Sequence, residues 1–505
     1  MIERTRGCGL LVLVGCLAPV ETGDTGEGGG MAPGLPSVEP IAVVDVLVIG
    51  SGAGGMAAAW AAREAGASVL LVERSSTPGG ASINASNYWA AGTRWQTNAG
   101  VSDSAALAIA EWESFTGGDA GATAVQEFVE GSAGVLDWLE SLGSAFNLVS
   151  AVGADTGSAR RTHALATNGA PSPMKVLGDS LAAELRLDTT VTELVLNGAD
   201  VAGAWITPTE GEAGWVQAGT VVVATGGFTR NDALVFEAVP ELASHATWVE
   251  AFPGMDGNGL EFTWAAGAAS QNLERLGLYA HGVEDAKLGQ PEVMVVVGLD
   301  SALVVDAAGN RVTDERSFGS VAMGTRYLTE GPFYAIADDV LWSVLQVQGR
   351  GFNYIGDPDG ILLTAAEYES SHGVALGEDA EALGRALGID PAGLAASLAA
   401  YNADAELGLD SQFGKPAPEF GPLTEGPWRG LPLVLGRSKS FGGLATNDVG
   451  AVLTQDGRSI RGLYAAGEVC GFLGDPGVGS GINGSITMAF WSGLRAGEAA
   501  AVGQR

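Results

Sequence analysis

A glycine fingerprint, one carboxylate and a second glycine pair set out the first chemistry this chain can do. Gly50-Ser51-Gly52-Ala53-Gly54-Gly55 follows the apolar run Val43 to Ile49, and Glu73 ends a second apolar run, Leu70-Leu71-Val72. In such a Gly-x-Gly-x-x-Gly, the first glycine (Gly50) permits a tight turn and the second (Gly52) lets a pyrophosphate approach the backbone. The third (Gly55) allows helix and strand to pack closely. Free N–H groups at the N-terminus of the helix that follows would meet the phosphates. A carboxylate placed like Glu73 accepts hydrogen bonds from both ribose hydroxyls and repels a 2′-phosphate. Directly beyond it, Arg74 to Ser82 is polar and glycine-rich. In a dinucleotide fold, Arg74 and the run Gly79-Gly80-Ala81-Ser82 would lie against the cofactor.

Those residues need a particular order of elements: a strand over Val43–Ile49, a helix over Met56–Ala65 and a strand closing at Glu73. The chain has 505 residues and is 46% hydrophobic, enough for a large core and two domains. Its formal net charge of −34, from 59 acidic and 25 basic side chains, excludes nucleic acid and anionic lipid as partners of the folded body. Three cysteines, Cys8, Cys16 and Cys470, make no disulfide framework and no cysteine metal site, so no metal is expected. A c-type haem needs Cys-x-x-Cys-His, which is absent, so electrons must pass to or from a separate donor or acceptor.

At the N-terminus, Arg4 and Arg6 precede Leu10-Leu11-Val12-Leu13-Val14-Gly15-Cys16. This resembles a bacterial lipoprotein signal over residues 1–16, with Leu13-Val14-Gly15-Cys16 as lipobox and Cys16 as the lipidated residue. Residues 17–40 are rich in Gly, Pro, Thr and acid, the composition of a flexible tether. The expectation is an exported protein, in the periplasm or at the cell surface, that meets a membrane only through its lipid. An uncleaved tail would leave it cytoplasmic.

The Glu73-x-x-x-x-x-Gly79-Gly80-x-Ser82 spacing after the fingerprint resembles the FAD-dependent oxidoreductases that include fumarate reductase flavoproteins, succinate dehydrogenase flavoprotein subunits and 3-ketosteroid dehydrogenases. Further matches are Arg161-Thr162-His163, Ala224-Thr225-Gly226-Gly227-Phe228 and Ala465-Ala466-Gly467-Glu468. In the cap region, Tyr401-Asn402 with Asp410-x-x-Phe413-Gly414 matches the end of the family's capping domain. A second Gly-x-Gly-x-x-Gly, Gly479 to Gly484 and including Gly481-Ile482, opens an apolar helix over Ile486–Ala500. In the family this helix aims its N-terminus at the flavin.

The resemblance implies an α/β fold: a Rossmann-like FAD-binding domain over 41–276 and 438–505 with an inserted α+β capping domain over 277–437. It implies non-covalent FAD held by Gly50, Gly52, Ala53, Gly54, Gly55, Glu73, Arg74, Gly79, Gly80, Ala81, Ser82, Thr225, Gly226, Gly467, Glu468, Gly481 and Ile482. Within the cap, strands are expected over Leu303–Asp306, Asn310–Val312 and Phe333–Asp338. Helices are expected over Ser132–Leu142 and after Asp390-Pro391.

A flavin exchanges hydride, so the site must also supply an acid or base and a group that polarises a carbonyl. His281 falls at the family's substrate histidine. Tyr279, Arg316 and Lys439 are the other catalytic candidates. The fumarate reductase pattern is broken in three places. Arg311-Val312-Thr313-Asp314-Glu315 keeps the frame, yet the proton-donating arginine reads as Gly319. Lys439 replaces a second histidine, and Pro476-Gly477-Val478-Gly479 has no clamping arginine. The expected small-molecule substrate is therefore an enone or ketone oxidised or reduced at the CH–CH bond beside its carbonyl. A dicarboxylate reductase and a catalytically silent electron-relay flavoprotein are the alternatives.

Overall fold

The computed structural model describes residues 34–116, 122–149, 159–167, 169–245, 247–249, 251–283, 295–317, 321–348, 362–372, 374–416, 421–471 and 485–503. The expected lipobox, most of the tether, Gly319, Gly481 and Ile482 lie outside these residues.

The chain begins as β1 (Ala42–Ile49), α1 (Ala53–Glu64) and β2 (Val69–Val72), within a few residues of the expected bounds. Helix α2 (Ala122–Ser141) starts ten residues before the expected Ser132. Strand β3 (Thr162–Leu165) and helix α3 (Pro173–Ser180) follow, the helix capped by Ser172 with Pro173 in its first turn. Next come β4 (Leu185–Arg186), β5 (Thr189–Asn197), β6 (Asp200–Pro208) and β7 (Gly214–Val223), then β8 (Thr247–Val249) and α4 (Asn258–Ala265). Strand β9 (Leu276–Val283), β10 (Leu303–Val305), α5 (Val321–Glu330), β11 (Tyr334–Ala337) and β12 (Ala375–Gly377) lead to α6 (Pro391–Leu407). As expected, Asp390 is the N-cap of α6, its carboxylate accepting from Ala392 N at 3.0 Å. The chain closes with β13 (Trp428–Ser440), β14 (Ala451–Leu453), β15 (Ser459–Ala465) and α7 (Ser485–Val502).

The first sheet runs β14–β15–β7–β1–β2–β4, with β6 also paired to β7 and β5 to β6. Pairs β15/β7, β7/β1, β1/β2 and β2/β4 are parallel, which places the C-terminal ends of β15, β7, β1 and β2 on one edge. Ligands bind at that edge in open α/β sheets. Val46–Ile49 of β1 and Val221–Val223 of β7 are wholly apolar and buried, as strands covered on both faces must be.

Helices α1 and α7 cover one face. Their axes approach closely because α7 presents glycine: a Cβ on Gly493 would lie 2.2 Å from Gly54 O, and one on Gly497 2.1 Å from Ala58 O. Fully buried Met56, Phe490 and Leu136 fill the space around this contact. Each such side chain contributes roughly 1.5–3 kcal/mol of apolar burial.

The second sheet is organised around β13. Strand β8 pairs with it in parallel, and β9, β11 and β12 pair with it antiparallel, β10 joining through β11. Asn310–Val312, expected as a strand, supplies only a bridge from Arg311 to Val305. The turn over Asp306–Asn310 is too short to leave a ladder, and Arg311 is taken up in a charge cluster. Its guanidinium binds Glu315 at 2.9 Å and Asp410 at 2.8 Å, while Lys415 Nζ donates to Glu315 at 3.0 Å. Two cations and two carboxylates, all buried, pin the loop leading into α5. Removing one member would leave an unpaired buried charge, a cost of about 3–5 kcal/mol.

Candidate active site

At the end of β1 the chain turns at Gly50, whose φ of +98° is open to glycine. The turn is tightest at Gly55, where a Cβ would stand 1.8 Å from Gly50 O. Gly52 precedes α1 with no side chain to cap it, so the first-turn N–H groups face outward. One of them, Ala53 N, donates to Ser82 Oγ at 3.1 Å.

Glu73 is held by three bonds. Its carboxylate accepts from Ser51 N at 2.9 Å, Ser51 Oγ at 2.7 Å and Ser75 N at 2.9 Å. Ser51 Oγ in turn accepts from Gly79 N at 3.0 Å. One hydroxyl thus ties the fingerprint turn, the end of β2 and the Gly79-Gly80 loop together. Arg74 pairs with Asp256 at 2.7 Å and donates to Gly254 O.

Three strands away from β2, Glu468 follows β15 and is half-buried. Ser440 N donates to its Oε1 at 2.8 Å and Ser440 Oγ at 3.3 Å. Burial pushes its carboxyl up to about 7, against the pull of those bonds and of the nearby Lys439 charge. Lys439 Nζ donates to Ser485 Oγ at 3.2 Å, on the first residue of α7.

A cavity of ≈ 330 Å³ joins these pieces. Of the residues expected to hold the cofactor, Gly50, Gly52, Ala53, Gly54, Glu73, Arg74, Gly80, Ala81, Ser82, Thr225, Gly226, Gly467 and Glu468 line it. Gly55 and Gly79 act one layer behind, through packing: a Cβ on Gly79 would strike Ile83 Cγ2 at 2.1 Å. The sheet order sets the span of the cavity, because Glu73 follows β2 and Glu468 follows β15 with β1 and β7 between. Three strand spacings amount to about 14 Å. An elongated ligand with a ribose at one end and a ring system at the other fits that distance, the glycine turn lying between for a pyrophosphate.

The three catalytic candidates whose side chains are described, Tyr279, Arg316 and Lys439, are not brought together. Lys439 lines the cavity. Tyr279 lies on β9, half-buried and opposite Gly436, and does not line it. Arg316 is turned to the surface, where Asp314 takes its guanidinium at 2.5 Å. His281 lies on β9, and its side chain is outside the described residues. The Arg161-Thr162-His163 element is buried: Arg161 pairs with Asp103 and Glu111, and His163 meets Thr93 Oγ1 at 2.9 Å.

Sequence reading overlooked Ser51, Ser440, Ser485, Thr189 and Thr190, all of which line the cavity or bond to a residue that does. For Ser51 a signal existed, since it sits inside the fingerprint. Ser485 opens the helix after a glycine and is a legible helix start. Nothing marks Thr189.

Residues 45–482 match the FAD binding domain family. The chain is 30% identical over 433 residues to the NADH:fumarate oxidoreductase of Klebsiella pneumoniae (strain 342), a match covering 85% of this chain and 44% of that protein. The chain thus spans less than half the length of that relative. It is 26% identical to the vinyl phenol reductase of Lactiplantibacillus plantarum, covering 90% of this chain and 96% of that one. Among solved structures it superposes on the 3-ketosteroid-Δ4-(5α)-dehydrogenase of Rhodococcus jostii RHA1 with a TM-score of 0.72 at 23% identity, covering 93% of this chain and 100% of that one. The two share the fold, a flavoenzyme α/β domain with a cap.

Proposed function

The chain belongs to the FAD binding domain family of flavoproteins, and from that premise we propose that it is an oxidoreductase acting on a CH–CH bond next to a carbonyl. The observation carrying this reading is the distribution of cations around the cavity. Among the described residues that line it, the only cations are Arg74, already paired with Asp256 at the Glu73 side, and Lys439 at the Glu468 side. One ammonium suits one carbonyl oxygen. Two carboxylates call for bidentate arginines, and the stretch from Gly471 to Gly484 contains neither arginine nor lysine.

Bound FAD supplies the hydride donor or acceptor at its N5. The chain's own residues supply the rest. Lys439, fixed by Ser485, donates a hydrogen bond to the substrate carbonyl and stabilises the enolate that develops there. Glu468, protonated over much of the range below about 7, adds little negative charge to compete with that ammonium. The relatives support chemistry at carbon–carbon double bonds, and the vinyl phenol reductase that matches along nearly its whole length is named for a substrate with a single polar end. The cap over 277–437 would close on the substrate, and His281 and Tyr279 on β9 would approach it from that side.

Anaerobic turnover with a reduced viologen dye tests the reading. A cyclic enone or 3-ketosteroid should be reduced, and Lys439→Met should lower kcat/KM by about 10²–10³-fold, the loss typical of one oxyanion donor, with FAD still bound. Rapid fumarate reduction abolished by Arg316→Ala would overturn it in favour of a dicarboxylate reductase. A flavin that no acceptor in the screen reoxidises would point instead to an electron-relay protein.

The Leu13-Val14-Gly15-Cys16 sequence supports export and a lipid on Cys16, and no helix of the described residues is long and apolar enough to cross a membrane. Cys16→Ser should therefore move the protein from the membrane fraction to the soluble one. Unchanged membrane association would count against the anchor.

A further inference from the structure

We propose that Arg74 and Asp256 form a latch across the rim of the cavity that retains the adenosine half of FAD and sets how fast the cofactor leaves. The inference rests on the assignment of this cavity to FAD. Arg74 directly follows Glu73 at the end of β2, and Asp256 stands just before α4, so the ion pair joins two walls distant in sequence. Both residues line the cavity, yet their side chains are 34% and 44% exposed. A residue that is both lining and one-third exposed sits at the mouth, not on the floor.

The latch has a firm seat. On the far side, Arg230 N donates to Met255 O at 2.9 Å, Asn231 Nδ2 donates to Asp256 O at 3.0 Å, and the Arg230 guanidinium donates to Ala251 O. Residues 251–256 are thereby braced against the first turn of the helix Asp232–Ala238, which Asn231 caps. On the near side, Arg74 takes both the Asp256 carboxylate and Gly254 O. Gly254 leaves room for this: a Cβ there would stand 3.1 Å from Arg74 Nη2, close enough that the guanidinium would have to shift slightly.

The chemistry beneath the latch selects its occupant. Val191, Phe252 and Met255 offer apolar surface, Thr190 a hydroxyl, and Glu73 a carboxylate beside them. A flat, uncharged purine carried on a ribose matches that set. FMN ends at a single phosphate and would not extend under the latch, so the pair distinguishes FAD from FMN by what it holds.

Release of FAD from the reconstituted holoprotein, followed by the rise of flavin fluorescence on dilution, provides the test. Arg74→Ala and Asp256→Asn should each speed release by about two- to fivefold, the range for a partly exposed ion pair. FMN affinity should be unchanged. Release from the unaltered protein should quicken with ionic strength, because salt screens such a pair, and the two variants should lack that dependence. The exchanged pair, Arg74→Asp with Asp256→Arg, should recover part of the slow release. Release rates unchanged in both single variants would overturn the latch. So would fast release from Arg74→Ala with normal release from Asp256→Asn, which would place the guanidinium on the cofactor itself. Unaltered protein that never takes up FAD would instead remove the assignment of the cavity.

Discussion

At the Glu73 side of the cavity the walls are largely backbone: a glycine turn, an uncapped helix start and a carboxylate clasped by its neighbours, most of it within residues 50–82. At the Glu468 side they are side chains brought from Lys439, Ser440, Glu468 and Ser485, which only the tertiary fold brings together. Backbone geometry tolerates almost no substitution but asks little of distant residues. Side-chain geometry tolerates exchange and is where one flavoprotein can differ from another in what it reduces.

The sharpest way to break the first side is Gly55→Val. With a Cβ due 1.8 Å from Gly50 O, helix and strand must separate, and the purified protein should contain no FAD. A variant with full flavin absorbance would refute the packing account of the turn. Glu73→Ala is next. It removes the expected ribose acceptor and also the brace between Ser51 and Ser75, so FAD affinity should fall by about 1.5–3 kcal/mol. Ser51→Ala, titrated with FAD beside it, should cost less, because the Ser51 N–H still reaches Glu73. Equal losses in the two would mean that the hydroxyl, not the carboxylate, does the holding.

The mildest expected effect lies at the other side and appears as a pH dependence. Glu468 is raised from 4.5 to about 7 by burial, so its contribution to stability is complete below 4.5 and is lost as pH rises through about 7. His163 runs the opposite way: burial lowers it from 6.5 to about 4, and its contribution is complete above 6.5 and lost as pH falls through about 4. Thermal melting across pH should therefore decline on both limbs. Glu468→Gln should flatten the neutral limb alone, with FAD retained. A neutral limb unchanged by that substitution would show that another group titrates there.

The same contrast explains what could be read from sequence. Gly50 to Glu73 was legible because its elements are local and each glycine has a backbone reason to be there. The parallel sheet and the start of α6 at Asp390-Pro391 followed from similar local rules. Arg316 was not legible, because frame and spacing place a residue in a loop without saying which way it faces, and Asp314 captures it two residues away. Asn310–Val312 is expected as a strand, but Arg311 is drawn into the cluster with Glu315 and Asp410, and Asp410 lies 99 positions further on. Lys439 is legible only as the residue that stands where the family has a second histidine. Its hydrogen bond to Ser485, 46 residues later, belongs to the fold.

The close seat of α7 on α1, with Gly493 and Gly497 against Gly54 and Ala58, has a consequence for biogenesis. The cradle that begins at β1 lacks β14, β15 and α7 until the chain has been synthesised through Val502, long after β7 ends at Val223. At roughly 5–20 residues per second, the nascent sheet waits on the order of tens of seconds with two strands, β14 and β15, and one covering helix missing. During that interval the faces of β1 and α1 that α7 will cover are exposed apolar surface. The Glu468 side of the cavity therefore exists only near the end of synthesis, so completion of the cofactor site is a late step in the maturation of the chain.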